Sequence, residues 1–215
     1  MSINKIADRT LYLIGARAAG KTTIGEKLSQ TLGSGFVDTD IHISRARQAT
    51  PAEIIAREGW AAFRQLEGEF LRKVTAPGVV VATGGGVILA ESNRVFMRSG
   101  GLVFYLSAPA EVLAARLAAD PQAASRPSLT GRPVVEEVAQ ILAERDALYR
   151  EAAHHLIDAS APPDEVLAAI LARLAEDARP SDHSSRITQQ AMSPYKPVTK
   201  TAANRQTGGR RRCRR

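Results

Sequence analysis

Gly15-Ala16-Arg17-Ala18-Ala19-Gly20-Lys21-Thr22 sets two glycines, a lysine and a hydroxyl at the spacing G-x-x-x-x-G-K-[ST]. That spacing binds phosphate. Glycines let the backbone wrap phosphate oxygens with its N–H groups turned inward. A helix opening behind them adds positive partial charge. In such a loop Lys21 reaches the β- and γ-phosphates, and Thr22 offers a hydroxyl to Mg2+. Asp38 and Asp40 stand two apart at the end of a short apolar run, so on a strand they share one face. One can hold Mg2+ through water, and the other can accept a proton from an attacking hydroxyl. Ordinary turns also carry such acids. Arg64 and Glu67, three apart, can pair along a helix, and the paired Arg can present its fork to a carboxylate. Such a spacing is also that of a plain surface ion pair. Gly84-Gly85-Gly86 lets a ligand rest on bare backbone. Arg126 lies in a Pro-, Ser- and Gly-containing segment over 120–133. A mobile loop of that kind can close over a transferring phosphate and exclude water.

These residues need a frame. Apolar runs at 11–14, 36–37, 79–82, 102–106 and 156–158 read as five short strands. Helical spacing fills the spans between them: 21–32, 41–75 with breaks near Thr50-Pro51 and Gly59, 90–98, 109–119, 134–151 and 162–177. Pro109 suits the first turn of its helix. The alternation predicts an α/β fold, a five-stranded parallel sheet with helices on both faces. Such sheets bind ligands outside the C-terminal strand ends. The glycine loop, the acids at 38 and 40 and the glycines at 84–86 all fall there.

The chain of 215 residues carries a formal charge of +7. Residues 181–215 hold nine Lys or Arg and one acid, which leaves 20 basic and 21 acidic residues in 1–180. The basicity therefore belongs to the tail and is no argument for a nucleic-acid-binding body. From about 178 the composition turns polar and loses periodicity, which predicts disorder. One cysteine, Cys213, allows no internal disulfide. No signal-like apolar run opens the chain, and no stretch spans a membrane. The expectation is a cytoplasmic protein with no membrane partner.

The phosphate loop, Asp38-Thr39-Asp40, Phe63-Arg64 with Glu67, Gly84-Gly85-Gly86, Arg126-Pro127 and Glu144-Arg145-Asp146-Ala147-Leu148-Tyr149-Arg150-Glu151 together resemble the shikimate kinase family over 10–175. Three of the runs look most like the second isozyme of enteric bacteria: Phe36-Val37-Asp38-Thr39-Asp40, Arg126-Pro127-Ser128-Leu129-Thr130-Gly131 and the run that begins at Glu144. The resemblance implies a P-loop NTPase-type kinase domain over 1–177, with a mobile lid at about 118–132. The reaction it implies is phosphorylation of the 3-hydroxyl of shikimate by ATP, a step toward chorismate and aromatic amino acids. Ala18, Ala19, Gly20, Lys21, Thr22 and Thr23 would bind ATP phosphates, Arg126 would reach ATP from the lid, and Arg116 with the turn at 159–163 would flank adenine. Thr22 and Asp38 would hold Mg2+. Asp40 would bind the acceptor hydroxyl and act on its proton, with Lys21 and Arg126 the other catalytic groups. Arg64, Gly84, Gly85, Gly86 and Arg145 would bind shikimate, and Glu67 would orient Arg64. A monomer is expected.

One position departs from the family, which has a glycine where Ala18 stands. If that residue needs a positive φ, alanine is strained by about 1–2 kcal/mol. His154, His155 and Tyr149 read as structural, and Trp60 reads as core or pocket wall. Two other functions share parts of this pattern. A P-loop kinase for gluconate or a nucleoside monophosphate would need a different acceptor site. A nucleotide-dependent binding protein would use the basic tail on nucleic acid, and its salt-sensitive binding would vanish on removal of 178–215.

Overall fold

The computed structural model describes residues 9–120, 132–133 and 135–178. All of them lie in the first of two units, Met1–Arg179 and Pro180–Arg215. Arg126, most of the expected lid and the basic tail fall outside the described residues.

Five strands form: β1 (Thr10–Ile14), β2 (Gly35–Asp38), β3 (Val79–Ala82), β4 (Gly101–Ser107) and β5 (His155–Asp158). All pairings are parallel, in the order β2-β3-β1-β4-β5. β1 and most of β3 and β4 are buried on both faces, as expected when helices cover both sides, whereas the edge strands β2 and β5 are partly exposed. Tyr12, Leu13 and Ile14 have no exposed surface. Among the described residues seven α-helices are interspersed with them: α1 (Lys21–Leu32), α2 (Thr39–Arg47), α3 (Pro51–Val74), α4 (Glu91–Gly100), α5 (Ala110–Ala119), α6 (Val138–Ala152) and α7 (Pro163–Asp177).

Side chains alternate across β1. Leu11 and Leu13 face a core with Ile24 and Leu28 of α1, Leu113 and Leu117 of α5, and Ile170 of α7. Tyr12 and Ile14 face a second core with Leu71 of α3, Met97 of α4 and Tyr149 of α6. A smaller cluster of Ile43, Ile54, Phe63 and Phe70 joins α2 to α3. Among the described residues no helix is long and apolar enough to cross a membrane.

Both expected breaks in 41–75 are present. Thr50 caps α3 in a reciprocal capping box with Glu53, which satisfies two N–H groups that the helix start leaves open. Gly59 leaves helical geometry inside α3, at φ 83° and ψ 168°. Two starts differ from the expectation. Pro109 is the residue before α5, with an extended ψ of 149°, and its carbonyl accepts from Leu113 N at 3.1 Å. Regular helix α6 begins at Val138 rather than 134, because the N–H groups of Glu136 and Glu137 close a turn onto the Pro133 carbonyl at 2.8 and 3.3 Å.

Candidate active site

The C-terminal ends of the strands open into one cleft of about 950 Å³. At one end is the loop between β1 and α1. Gly20 precedes α1 without any side-chain cap, so the first N–H groups of the helix are not capped by a side chain and face the mouth of the loop. Ala18, Ala19, Gly20, Lys21, Thr22 and Thr23 all line the cleft. Lys21 Nζ donates to the carbonyls of Gly15 at 3.0 Å and Ala16 at 2.8 Å. Ala18 has φ 61°, the left-handed geometry that makes its methyl costly.

Arg116, on α5, donates to Ala18 O at 3.5 Å and Ser160 O at 3.3 Å. It joins the phosphate loop to the turn after β5, whose Ala159, Ala161 and Pro163 line the same end of the cleft. The residues expected to flank adenine are thus together.

Asp38 closes β2 and caps α2. Its Oδ1 accepts from the N–H groups of Asp40 at 3.0 Å and Ile41 at 3.2 Å, while its Oδ2 accepts from Thr22 Oγ1 at 2.7 Å. Asp40 is already helical, so the helix cap, rather than strand alternation, brings the two acids to one side. The donor set suits Mg2+. A hydroxyl and a carboxylate side by side at the phosphate loop are hard oxygen ligands, and Mg2+ commonly takes its remaining ligands from water and substrate phosphates.

The other end is built on α3, the loop after β3 and α6. Arg64 donates to Glu67 through a charged hydrogen bond one turn along α3, as the spacing predicted. The Arg64 guanidinium also lies 4.9 Å from the Trp60 ring centre, a cation–π contact, and Trp60 lines the cleft. The kink at Gly59 immediately precedes this stretch. Glu67 is 2% exposed. Burial pushes its carboxyl up to about 7 against the pull of Arg64, and the nearby Asp40 charge reinforces the rise.

The three glycines serve a purpose beyond bare backbone for a ligand. A Cβ on Gly84 would lie 2.5 Å from Asp40 Oδ1 and 2.6 Å from Glu67 Oε1. A Cβ on Gly86 would overlap the Arg64 guanidinium. Gly84 and Gly86 make room for the charged side chains of the site itself, and Gly85 and Gly86 line the cleft. Arg145 reaches Gly85 O at 3.4 Å from α6, which places it opposite Arg64 across the turn.

Sequence reading missed two residues. Tyr149, read as a packing residue, donates to Gly85 O at 2.6 Å. Thr39 accepts from Gly84 N at 3.0 Å. Both contacts join segments far apart in the chain, so no local pattern announces them. His154 and His155 are structural, as read: His154 Nδ1 accepts from Val103 N and His155 pairs with Asp177.

The shikimate kinase family model matches residues 17–175. The chain is 57% identical over 170 residues to Shikimate kinase 2 of Syntrophotalea carbinolica, covering 79% of this chain and 99% of that one. It is 55% identical over 169 residues to Shikimate kinase 2 of Yersinia enterocolitica, covering 79% and 97%. Among solved structures, a shikimate kinase from Acinetobacter baumannii in complex with shikimate superposes with a TM-score of 0.72 at 34% identity, over 80% of this chain and 96% of that one. A matched family model across most of the chain, relatives above half identity and a superposed fold lead to one conclusion: the chain belongs to the shikimate kinase family.

Proposed function

We propose that this enzyme transfers the γ-phosphoryl group of ATP to the 3-hydroxyl of shikimate, giving shikimate 3-phosphate and ADP. One observation carries the reading. A single cleft sets Lys21, Thr22 and Asp38 at a phosphate loop and faces them with Asp40, Arg64, Arg145 and the glycine turn. The first set suits a nucleotide. The second suits a small ring with a carboxylate at one end and hydroxyls at the other.

ATP phosphates lie on the backbone of 18–23, and Lys21 neutralises their charge. Thr22 and Asp38 hold Mg2+, which supplies charge neutralisation at the transferring phosphoryl. Arg64, oriented by Glu67, and Arg145 take the shikimate carboxylate. That fixes the ring with its 3-hydroxyl at Asp40. The hydroxyl oxygen forms a bond to the γ-phosphorus as the bond to the β-bridging oxygen breaks, and the hydroxyl proton passes to the Asp40 carboxylate. Positioning provides most of the acceleration in such a transfer. Arg126 acts on ATP from a lid at about 118–132, a role supported by the Arg126-Pro127 run within the family match. The kinase domain is 1–177, followed by a separate basic tail over 178–215. The enzyme works as a monomer in the cytoplasm, a reading supported by its size and self-contained motif set and by a single cysteine.

The test is ADP release in a coupled assay with Mg2+ and ATP, with and without shikimate. Shikimate-dependent turnover is expected. Turnover with gluconate alone, or none with any acceptor, would overturn the reading.

A further inference from the structure

The turn that receives the substrate is held at both ends by side chains without a role in the reaction described above. Thr39 stands between the two acids and is 1% exposed. Its hydroxyl oxygen accepts from Gly84 N at 3.0 Å, across 45 residues of chain. Tyr149, also 1% exposed, donates to Gly85 O at 2.6 Å, across 64 residues. The neighbouring Thr83 is fixed to β1 by its N–H and its hydroxyl, both 3.1 Å from Leu13 O. Tyr149 itself is braced, stacked on Tyr105 at 4.9 Å between ring centres. Tyr105 in turn donates to Asp146, one turn before Arg150 on α6.

The two anchors come from different halves of the site. Thr39 belongs to the helix start that carries Asp38 and Asp40. Tyr149 belongs to the helix that carries Arg145, one turn away. The Gly84–Gly85 segment therefore hydrogen-bonds to both halves, through Gly84 N at one end and Gly85 O at the other. We propose that Thr39 and Tyr149 are positioning residues that hold the Gly84–Gly85 segment at its two ends, so that the acid at the reacting hydroxyl and the arginine at the carboxylate keep a fixed separation. A site of this kind loses rate when groups drift by about 1 Å, and a lost buried hydrogen bond costs about three- to tenfold in an equilibrium.

The inference rests on the shikimate reading. Steady-state kinetics of Thr39→Val and Tyr149→Phe test it, beside Thr39→Ser, the double variant and thermal melts of each. Both single variants should raise the shikimate KM about three- to tenfold, with the ATP KM within about twofold. Thr39→Ser should restore most of the loss. Because both residues hold the one Gly84–Gly85 segment, the double variant should lose less than the product of the singles. Melting temperatures that fall while the shikimate KM stays put would overturn the inference and leave a purely structural role. So would a loss shared equally by ATP and shikimate, or a multiplicative double variant. A wild-type chain with no shikimate turnover would instead overturn the function on which the inference rests.

Discussion

Ala18 holds a φ of 61° inside the phosphate loop, and its carbonyl accepts from Arg116. The conformation cannot relax without disturbing the adenine end. Glycine would adopt it without the roughly 1–2 kcal/mol of alanine strain. Ala18→Gly should therefore lower the ATP KM about two- to fivefold, at or below the lower end of the roughly 5- to 30-fold that full relief of about 1–2 kcal/mol would give. Stability should change little, because glycine also frees the unfolded chain. ATP titrations and melts of both proteins check this, and equal ATP KM values would show that the loop absorbs the methyl at no cost. Glu67 calls for a different measurement. Its carboxyl is raised to about 7, chiefly by burial. On the proposed binding of the shikimate carboxylate by Arg64, the neutral form below that value competes less for the guanidinium. Above it, the ionised form repels that carboxylate. The shikimate KM should rise as pH climbs through about 7, and Glu67→Gln should flatten the rise. An unchanged profile in the variant would assign the titration to another group.

At the scale of elements, the kink in α3 is the feature with most leverage on the site. Gly59 sits at φ 83° and ψ 168°, a region open almost only to glycine, where other residues cost of order 1–3 kcal/mol. No heavy atom lies within 4 Å of a Cβ built there, so any cost of Gly59→Ala is backbone conformation alone. The variant should lose about 1–3 kcal/mol of stability in urea titrations. It should also raise the shikimate KM, because Trp60 and Arg64 follow the kink directly and line the cleft. Much of this architecture was legible. The strands announced themselves as apolar runs, Thr50-Pro51 and Gly59 marked their breaks, and the Arg64–Glu67 pair followed from helical spacing. The start of α6 was not legible, because the turn that delays it is closed by backbone bonds to Pro133 that the types of Val135, Glu136 and Glu137 do not signal. Nor were Thr39 and Tyr149, whose partners lie 45 and 64 residues away. Apolar periodicity places a residue on a face, and a hydroxyl's partner is fixed only once the elements are docked.

For the whole molecule, acid sensitivity has a distinct source at the join of β4 and β5. His154 Nδ1 accepts from Val103 N at 3.1 Å, and His154 N donates to Val103 O at 2.8 Å. The first bond needs a neutral ring. Burial lowers the His154 pKa below its ordinary value, and the charges of Arg98 and Arg9 lower it further. A lowered folded pKa means that the folded state binds fewer protons than the unfolded chain. The stability from this contact is complete above about pH 6.5 and is lost as pH falls through the lower folded value. Melting temperatures between pH 7.5 and 5 should drop more steeply for the wild type than for His154→Gln. Equal slopes would move the acid sensitivity elsewhere.

The strand order has a consequence for the growing chain. β1 lies at the centre of the sheet, with Leu11 beside Val80 and Thr10 beside Gly101. During synthesis from the N-terminus, this fully buried strand emerges first, and its neighbours β3 and β4 emerge third and fourth of the five described strands. About seventy residues must leave the ribosome before β1 gains one partner, and about ninety before it gains the second. Throughout that interval the run Thr10-Leu11-Tyr12-Leu13-Ile14 is an unpaired apolar edge, the kind of segment that chaperones shield. The strand that anchors the phosphate loop is thus also the segment of the nascent chain that waits longest for its partners.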